Sequence, residues 1–447
     1  MKKLTVGILF IFLIITFSCN KPQKEIDKGG LPNVVLMMGD DHGWDEVGYN
    51  GHPFVKTPVL DEMAAVGFRF DRFYSGHSTC SPTRGSFLTG RHPNRYGTFT
   101  PGWSLRPEEF TIAHLMKEAG YATAHFGKWH VGPVKKESPT SPGAMGFDEW
   151  LSHDNFFEMN PVLSRNGRVP ERIEGEGSEV IIDETIEFIQ KTKDQGKPFF
   201  AVVWFGSPHE PYSGLPGDLA LYENLPDSLA DKKVRLTSNE TGEQVIRPLR
   251  DVLQERYAEI TAMDRAIGKL RTFLKNNNLK SNTLVMYCGD NGTSADAART
   301  GITFRGQKAT LYEGGIRVPG VLEWPATIKK PASTTAISVT SDILPTLAEI
   351  TGQSLPDRPL DGVSLDPFFS DIQKQRMQPL CFWQFHPAKV FDESAQPYID
   401  PKLQEGTTPL AKMAAGKFTR DFLNNRYPQI SENDFSGERT MMQDRYK

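Results

Sequence analysis

The feature that most constrains this chain is a set of short, unbroken apolar runs: Asn33–Met38, Tyr121–Phe126, Phe199–Phe205, Thr283–Cys288 and Val318–Glu323. None is long enough to cross a bilayer. None alternates with polar residues, so each reads as a strand covered on both faces. Amphipathic segments separate them. Thr57-Pro58 opens a helix as N-cap and first helical residue, running to Val66 with Gly67 as its stop. Further helices are expected over Glu108–Ala119, Ser178–Lys193 (Ser178 as N-cap), Arg250–Asn276 and Ser341–Ile350. Strands alternating with helices predict an α/β fold, a large mostly parallel sheet flanked by helices. The Pro- and Gly-punctuated stretch Leu215–Arg247 reads as a surface excursion near a site mouth. After about Leu365 the rhythm fades. The expected map is residues 1–19 as leader, 20–32 as flexible tether, 33–370 as the main domain and 371–447 as a small α+β C-terminal subdomain, short or incomplete.

Composition narrows the function. Hydrophobic residues at 38% and charged residues at 24% exclude a disordered chain and a polytopic membrane protein. A net charge of −4 without a Lys/Arg-rich run argues against nucleic acid as a partner. Lys2 and Lys3 precede an apolar run from Leu4 to Phe17, the shape of a secretory leader. Ser18-Cys19 resembles the end of a bacterial lipobox, with Thr16 where Leu is usual. Two addresses follow: lipidation of Cys19 with anchoring in the periplasm or at the outer membrane or cell surface, or ordinary secretion. Membrane contact is expected only through a lipid. Four cysteines, one of them in the leader, do not make a disulfide framework, and Cys288 reads as a small core hydrophobe.

Three predicted strands run into polar clusters: Gly39-Asp40-Asp41-His42-Gly43, Gly206-Ser207-Pro208-His209-Glu210-Pro211 and Gly289-Asp290-Asn291-Gly292. In open α/β sheets, ligands bind beyond the carboxyl ends of strands. Asp40, Asp41, Asp290 and Asn291 offer oxygen ligands suited to a hard cation such as Ca²⁺ or Mg²⁺. Asp-Asp and Asp-Asn also serve as turn and cap residues, so the strand ends alone leave both readings open.

The segment Cys80-Ser81-Pro82-Thr83-Arg84-Gly85-Ser86-Phe87-Leu88-Thr89-Gly90 resembles the signature of the formylglycine-dependent (type I) sulfatases of the alkaline phosphatase superfamily. That signature is Cys-x-Pro-[Ser/Thr/Ala]-Arg, two variable residues, two apolar residues and Thr-Gly. Thr83 stands where serine is commonest. A second stretch, Gly120-Tyr121-Ala122-Thr123 through Gly127-Lys128-Trp129-His130, is similar to the family's Gly-Tyr-x-Thr…Gly-Lys-Trp-His, with a bulkier Phe126. Pro208-His209-Glu210-Pro211, Arg305-Gly306-Gln307-Lys308 and Tyr312–Pro319 match further, and the likeness is collinear from about residue 33 to 365.

The resemblance implies an alkaline-phosphatase-like fold and sulfate-ester hydrolysis, with a sulfated polysaccharide or its oligosaccharides as substrate. It implies that a maturation enzyme converts Cys80 to formylglycine (3-oxoalanine), reading Pro82 and Arg84. One hydroxyl of the hydrated aldehyde attacks sulfur and expels the alcohol. Deprotonation of the other then releases sulfate. Asp40, Asp41, Asp290 and Asn291 would hold one Ca²⁺ together with modified Cys80. Asp290 would be the base for the attacking hydroxyl and His130 the base for elimination. Arg84 and Lys128 would orient the formylglycine, and His209 and Lys308 would contact the sulfate, His209 as general acid.

His153, Asn155 and Arg305 are candidates for leaving-group contacts, and Trp103 and Trp150 for sugar stacking or packing. Phe382-Trp383-Gln384-Phe385-His386 resembles the strand that opens the family's C-terminal sheet. The chain ends at Asp444-Arg445-Tyr446-Lys447, where a later strand of that sheet would begin. Two other functions compete: a phosphatase or phosphodiesterase of the same superfamily, and a non-catalytic glycan-binding lipoprotein.

Overall fold

The Asn33–Gly39 run is the central strand of a ten-stranded sheet. It pairs in parallel with Thr283–Gly289 on one side and Phe199–Trp204 on the other. Ala122–Lys128 and Glu149–His153 extend the parallel set; antiparallel pairings follow on both flanks, and the edge strand Ala332–Thr334 pairs in parallel with Phe68–Phe70. The computed structural model describes residues 30–238, 243–294, 304–384, 396–410, 418–426 and 437–444.

Successive residues of the central strand enter opposite layers. Val34, Leu36 and Met38 pack with Phe87, Leu115 and Leu344. Val35 and Met37 pack with Ile182, Met263 and Ile267. Helices therefore cover both faces, which is why the strand needs no polar alternation. Cys288 is fully buried in this core.

Helices form over Pro58–Val66, Ile112–Glu118, Gly177–Asp194, Leu249–Asn276 and Ile343–Thr351. The second begins later than expected because Thr111 is its cap. The Thr111 hydroxyl accepts from the amides of Ala113 and His114, and His114 Nδ1 accepts from the Thr111 amide. The third is capped by Glu176, which accepts from the Glu179 amide at 2.9 Å, and not by Ser178. Thr57 makes no cap bond at its own helix; its hydroxyl accepts from Gly48 N and donates to Asp61.

The expected strand Val318–Glu323 is two strands. Arg317–Val318 pairs with Phe73–Tyr74 in a small separate sheet, and Gly320–Glu323 runs antiparallel on Thr283–Gly289. Pro319, without an N–H, stands at the break. The Leu215–Arg247 stretch is also more structured than its composition suggests. It contains a short helix, Pro216–Ala220, and a hairpin of Lys233–Thr237 with Gln244–Pro248. It buries Tyr222, Leu225 and Leu229 beside Leu253 and Tyr257 of the long helix.

A helix with no amphipathic signature, Cys80–Thr89, is buried at every residue and ends on Gly90 in the left-handed conformation (φ 69°). Toward the C-terminus, Leu380–Trp383 pairs antiparallel with Arg439–Met442. Phe385, His386 and residues 445–447 lie outside the described residues, as do the leader and Cys19. Among the described residues no helix is long and apolar enough to cross a membrane.

Candidate active site

The two acidic strand ends meet because their strands are neighbours in register, Gly39 opposite Gly289. The Asp290 amide donates to the Gly39 carbonyl, and the Asp41 amide donates to Asp290 Oδ1 at 2.9 Å. Asp41 adopts φ 61°, a left-handed conformation that aspartate tolerates better than most side chains. Asp40, Asp41, Asp290 and Asn291 are all buried.

Three cations balance three carboxylates. Lys128, at the end of its strand, places Nζ 2.6 Å from Asp40 Oδ2. Arg84, from the buried helix, lies 2.7 Å from Asp290 Oδ2 and 3.5 Å from Asp40 Oδ1. It also donates to the Lys128 carbonyl and stacks over Trp204. Lys308 Nζ lies 2.6 Å from Asp41 Oδ1. Such groups tolerate burial only as a paired network. Burial alone would raise the Asp41 carboxyl, but Lys308, His209 and Lys128 hold it well below the usual carboxylate range. Burial pushes Asp40 upward despite Lys128. Burial would neutralise Lys308, yet Asp41 and the other neighbouring anionic groups keep its ammonium charged.

Cys80 opens the buried helix, its Sγ 3.9 Å from Asp41 Oδ1. Burial pushes its thiol up to about 12, so an unmodified Cys80 carries almost no thiolate at neutral pH. His209 Nδ1 faces the Glu210 carbonyl at 2.5 Å, Nε2 lies 3.8 Å from Asp41 Oδ2, and the ring stacks on Phe156. Burial pulls His209 down to about 3 and His130 well below the ordinary histidine value, so both rings are neutral. His130 has φ 57°, and neither ring nitrogen has a hydrogen-bond partner among the described residues. Left-handed backbone at a non-glycine residue costs of order 1–3 kcal/mol and clusters at functional sites.

The donor set fits a hard cation. One ligand atom each from Asp40, Asp41, Cys80 and His209 lie within 4.8 Å of one another. Asn291 Nδ2 donates to Asp41 Oδ1 and the Gly292 carbonyl, which leaves its Oδ1 buried and, like Asp40 Oδ1, without a hydrogen-bond partner among the described residues. Two orphaned buried oxygens beside carboxylates are what an oxygen-seeking divalent ion would satisfy. Asp290 is committed differently, to Arg84 and the Asp41 amide. Cys80, His130, His209 and Lys308 face one cleft of about 430 Å³. A larger apolar cleft of about 860 Å³ lies by the paired strands Leu380–Trp383 and Arg439–Met442 and includes none of these residues.

Residues 32–353 match the Sulfatase family model. The chain belongs to the sulfatase family. It is 32% identical to human arylsulfatase A over 395 residues, covering 80% of this chain and 72% of that protein. It is 30% identical to the ulvan-active sulfatase of Formosa agariphila over 357 residues, covering 78% and 68%. The solved structure of Ps i-CgsB with k-i-k-neocarrahexaose shares the fold, with TM-score 0.69, 24% identity and 80% of each chain covered. This sulfatase is accordingly a hydrolase of sulfate esters.

The metal and catalytic candidates of this sulfatase thus converge on one centre. Of the leaving-group candidates, Asn155 joins them in the cleft, its Oδ1 buried without a hydrogen-bond partner among the described residues, whereas His153 and Arg305 are not among the cleft's lining residues. His153 uses both ring nitrogens internally, on the Pro409 carbonyl and the Asn155 amide. Arg305 stacks on Tyr312, 4.0 Å from its centroid. Trp103 is buried beside Phe99, and the Trp150 indole donates to the Val134 carbonyl, so both are packing residues.

Sequence reasoning missed Arg256 and Glu46. Arg256 is fully buried in the long helix. It donates to both Glu46 oxygens (2.7 and 2.6 Å), to the Asp41 carbonyl (2.7 Å) and to the Pro208 carbonyl, and so ties two site loops together. It also missed Arg420, which reaches the cleft from the C-terminal region. Neither lies in a local motif, and a paired charge on a helix stripe gives no signal distinguishing it from a solvated one.

Proposed function

We propose that this sulfatase is an exported enzyme that removes sulfate from a sulfated polysaccharide or its oligosaccharides, with Cys80 matured to formylglycine and one Ca²⁺ in the site. Residues 33–370 would form the catalytic domain and 371–447 an accessory C-terminal subdomain, and Cys19 would carry a lipid anchor. The observation that carries this reading is Cys80 at the start of a wholly buried helix, among three balanced ion pairs and two buried oxygens with no hydrogen bond among the described residues. A cysteine thiol held near 12 is a poor nucleophile there, which fits conversion to another group.

Asp40, Asp41, Asp290, Asn291 and modified Cys80 would hold the ion. When bound, the ion and the hydrated aldehyde supply charge stabilisation and the attacking hydroxyl. The pairs Arg84, Lys128 and Lys308 already neutralise Asp40, Asp41 and Asp290. A divalent ion therefore leaves the site net positive, suited to an anionic ester. Lys308 and His209 would contact the sulfate; the Glu210 carbonyl holds the Nδ1 proton of His209, so the ring would act as general acid only after Nε2 takes up a proton. Neutral His130, with neither nitrogen hydrogen-bonded among the described residues, can accept one. The ulvan-active relative and the neocarrahexaose complex support a glycan substrate.

The test is free sulfate released from a panel of sulfated oligosaccharides and matched phosphate esters, with Cys80→Ala as control. Sulfate release abolished by Cys80→Ala supports the reading. Equal release by the variant, or phosphate release alone, refutes it.

A further inference from the structure

Arg420 is set in the cleft wall by a segment far along the chain. Leu423 pairs with the backbone of Gly102 and Ser104 at 2.9 and 2.8 Å, and the Asn424 amide donates to the Ser104 and Leu105 carbonyls. The Phe422 amide donates to the Gln404 carbonyl. Gly102, at φ 87°, leaves room for the guanidinium, because a Cβ there would lie 3.1 Å from Arg420 Nε. The side chain is nonetheless solvent-exposed.

What distinguishes Arg420 is that no described residue supplies it with a counter-charge. Among the described residues it makes no ion pair, and its one hydrogen bond is a long one to the Pro101 carbonyl, 3.4 Å. The cations of the reaction centre each face a carboxylate. Arg420 lines the same cleft as Cys80 and Lys308, opening to solvent where Cys80 is 1% exposed. Asn155, 4% exposed, also lines the cleft and presents an acceptor oxygen with no hydrogen-bond partner among the described residues. A planar fork of N–H donors without a partner suits a carboxylate or a sulfate, which it can grip with two bonds. The ester to be cleaved is handled at the buried end, so a group meeting Arg420 belongs to another part of the substrate.

We infer that Arg420 is a specificity-determining residue that binds a second anionic group on the leaving sugar, with Asn155 accepting from a neighbouring hydroxyl or N–H. This rests on the sulfatase reading above. The shared chemistry is an oxyanion, supplied either by a uronate carboxylate or by a second sulfate ester.

Arg420→Ala and Arg420→Lys are compared with wild type on three substrates: a sulfated sugar carrying a uronate, a disulfated sugar, and an aryl sulfate with no second anion. The quantity read is kcat/KM on each sugar divided by kcat/KM on the aryl sulfate. A hydrogen-bonded charge pair predicts that this ratio falls roughly 10- to 100-fold in Arg420→Ala on at least one sugar, with partial recovery in Arg420→Lys. The sugar that responds identifies the anion. Ratios unchanged on both sugars overturn the assignment even if all rates fall together. Wild-type enzyme that releases sulfate from none of the three overturns the sulfatase reading itself, and this inference with it.

Discussion

Replacing Arg256 by Met would test how the site is held. The guanidinium is fully buried and donates to both oxygens of Glu46 and to the carbonyls of Asp41 and Pro208. Burial would raise the Glu46 carboxyl, but Arg256 holds it down to about 2, against an ordinary value of 4.5. A shift of that size corresponds to about 3 kcal/mol at neutral pH. Removing one partner of a buried pair costs of order 3–5 kcal/mol, because the other charge is stranded. Glu46 keeps the Gly43 amide and the Thr293 hydroxyl, and two carbonyls lose a donor. These corrections oppose each other, so the expected loss stays at about 3–5 kcal/mol, read as a lower urea midpoint. Adding Glu46→Gln removes the stranded charge, so the double variant should be less destabilised than the sum of the two single changes. Because the folded value lies below the unfolded one, the pair's contribution is full above about pH 4.5. It fades as pH falls toward 2, and the gap between wild type and Arg256→Met should narrow there. Activity should fall mainly in kcat, since the loops carrying Asp41 and His209 lose their tie. A loss under about 1 kcal/mol, or strict additivity in the double variant, would refute the reasoning.

Other consequences can be checked separately. Calcium at about 100 times its Kd should add about 2.7 kcal/mol of stability, and a chelator should remove it; an unchanged melting midpoint would count against the metal site. Gly127→Ala should be strongly destabilising. Gly127 has φ 94°, and a Cβ would lie 2.0 Å from the Trp204 carbonyl oxygen, so the cost should reach at least the roughly 1–3 kcal/mol of overpacking. Wild-type stability would show that the strand next to Lys128 is packed otherwise. Phe87→Ala, in the buried helix against Trp204, should cost about 3–5 kcal/mol by cavity formation. A loss below about 1 kcal/mol would contradict burial of that helix.

The central strands were legible because burial on both faces leaves an unbroken apolar run, as in Asn33–Gly39. The meeting of the candidate site residues was legible because Asp40, Asp41, Lys128, His209, Asp290 and Asn291 sit at or just beyond the ends of those strands. The helix Cys80–Thr89 gave no amphipathic signal, since it is buried all round and, apart from Phe87 and Leu88, its residues are small or polar. Val318–Glu323 misled because Pro319 hands the chain from one sheet to another without interrupting the hydrophobic pattern. Arg256 meets Glu46 across 210 residues, and Arg420 joins Cys80 only through the folding of the C-terminal segment onto Gly102–Leu105. No local pattern encodes such meetings.

The central claim concerns the chemical form of one side chain. Mass spectrometry of the residue-80 peptide, from fully active enzyme purified from its native host, tests it directly. The account predicts an aldehyde or its hydrate in place of the thiol. An intact cysteine in material of full sulfatase activity would contradict it.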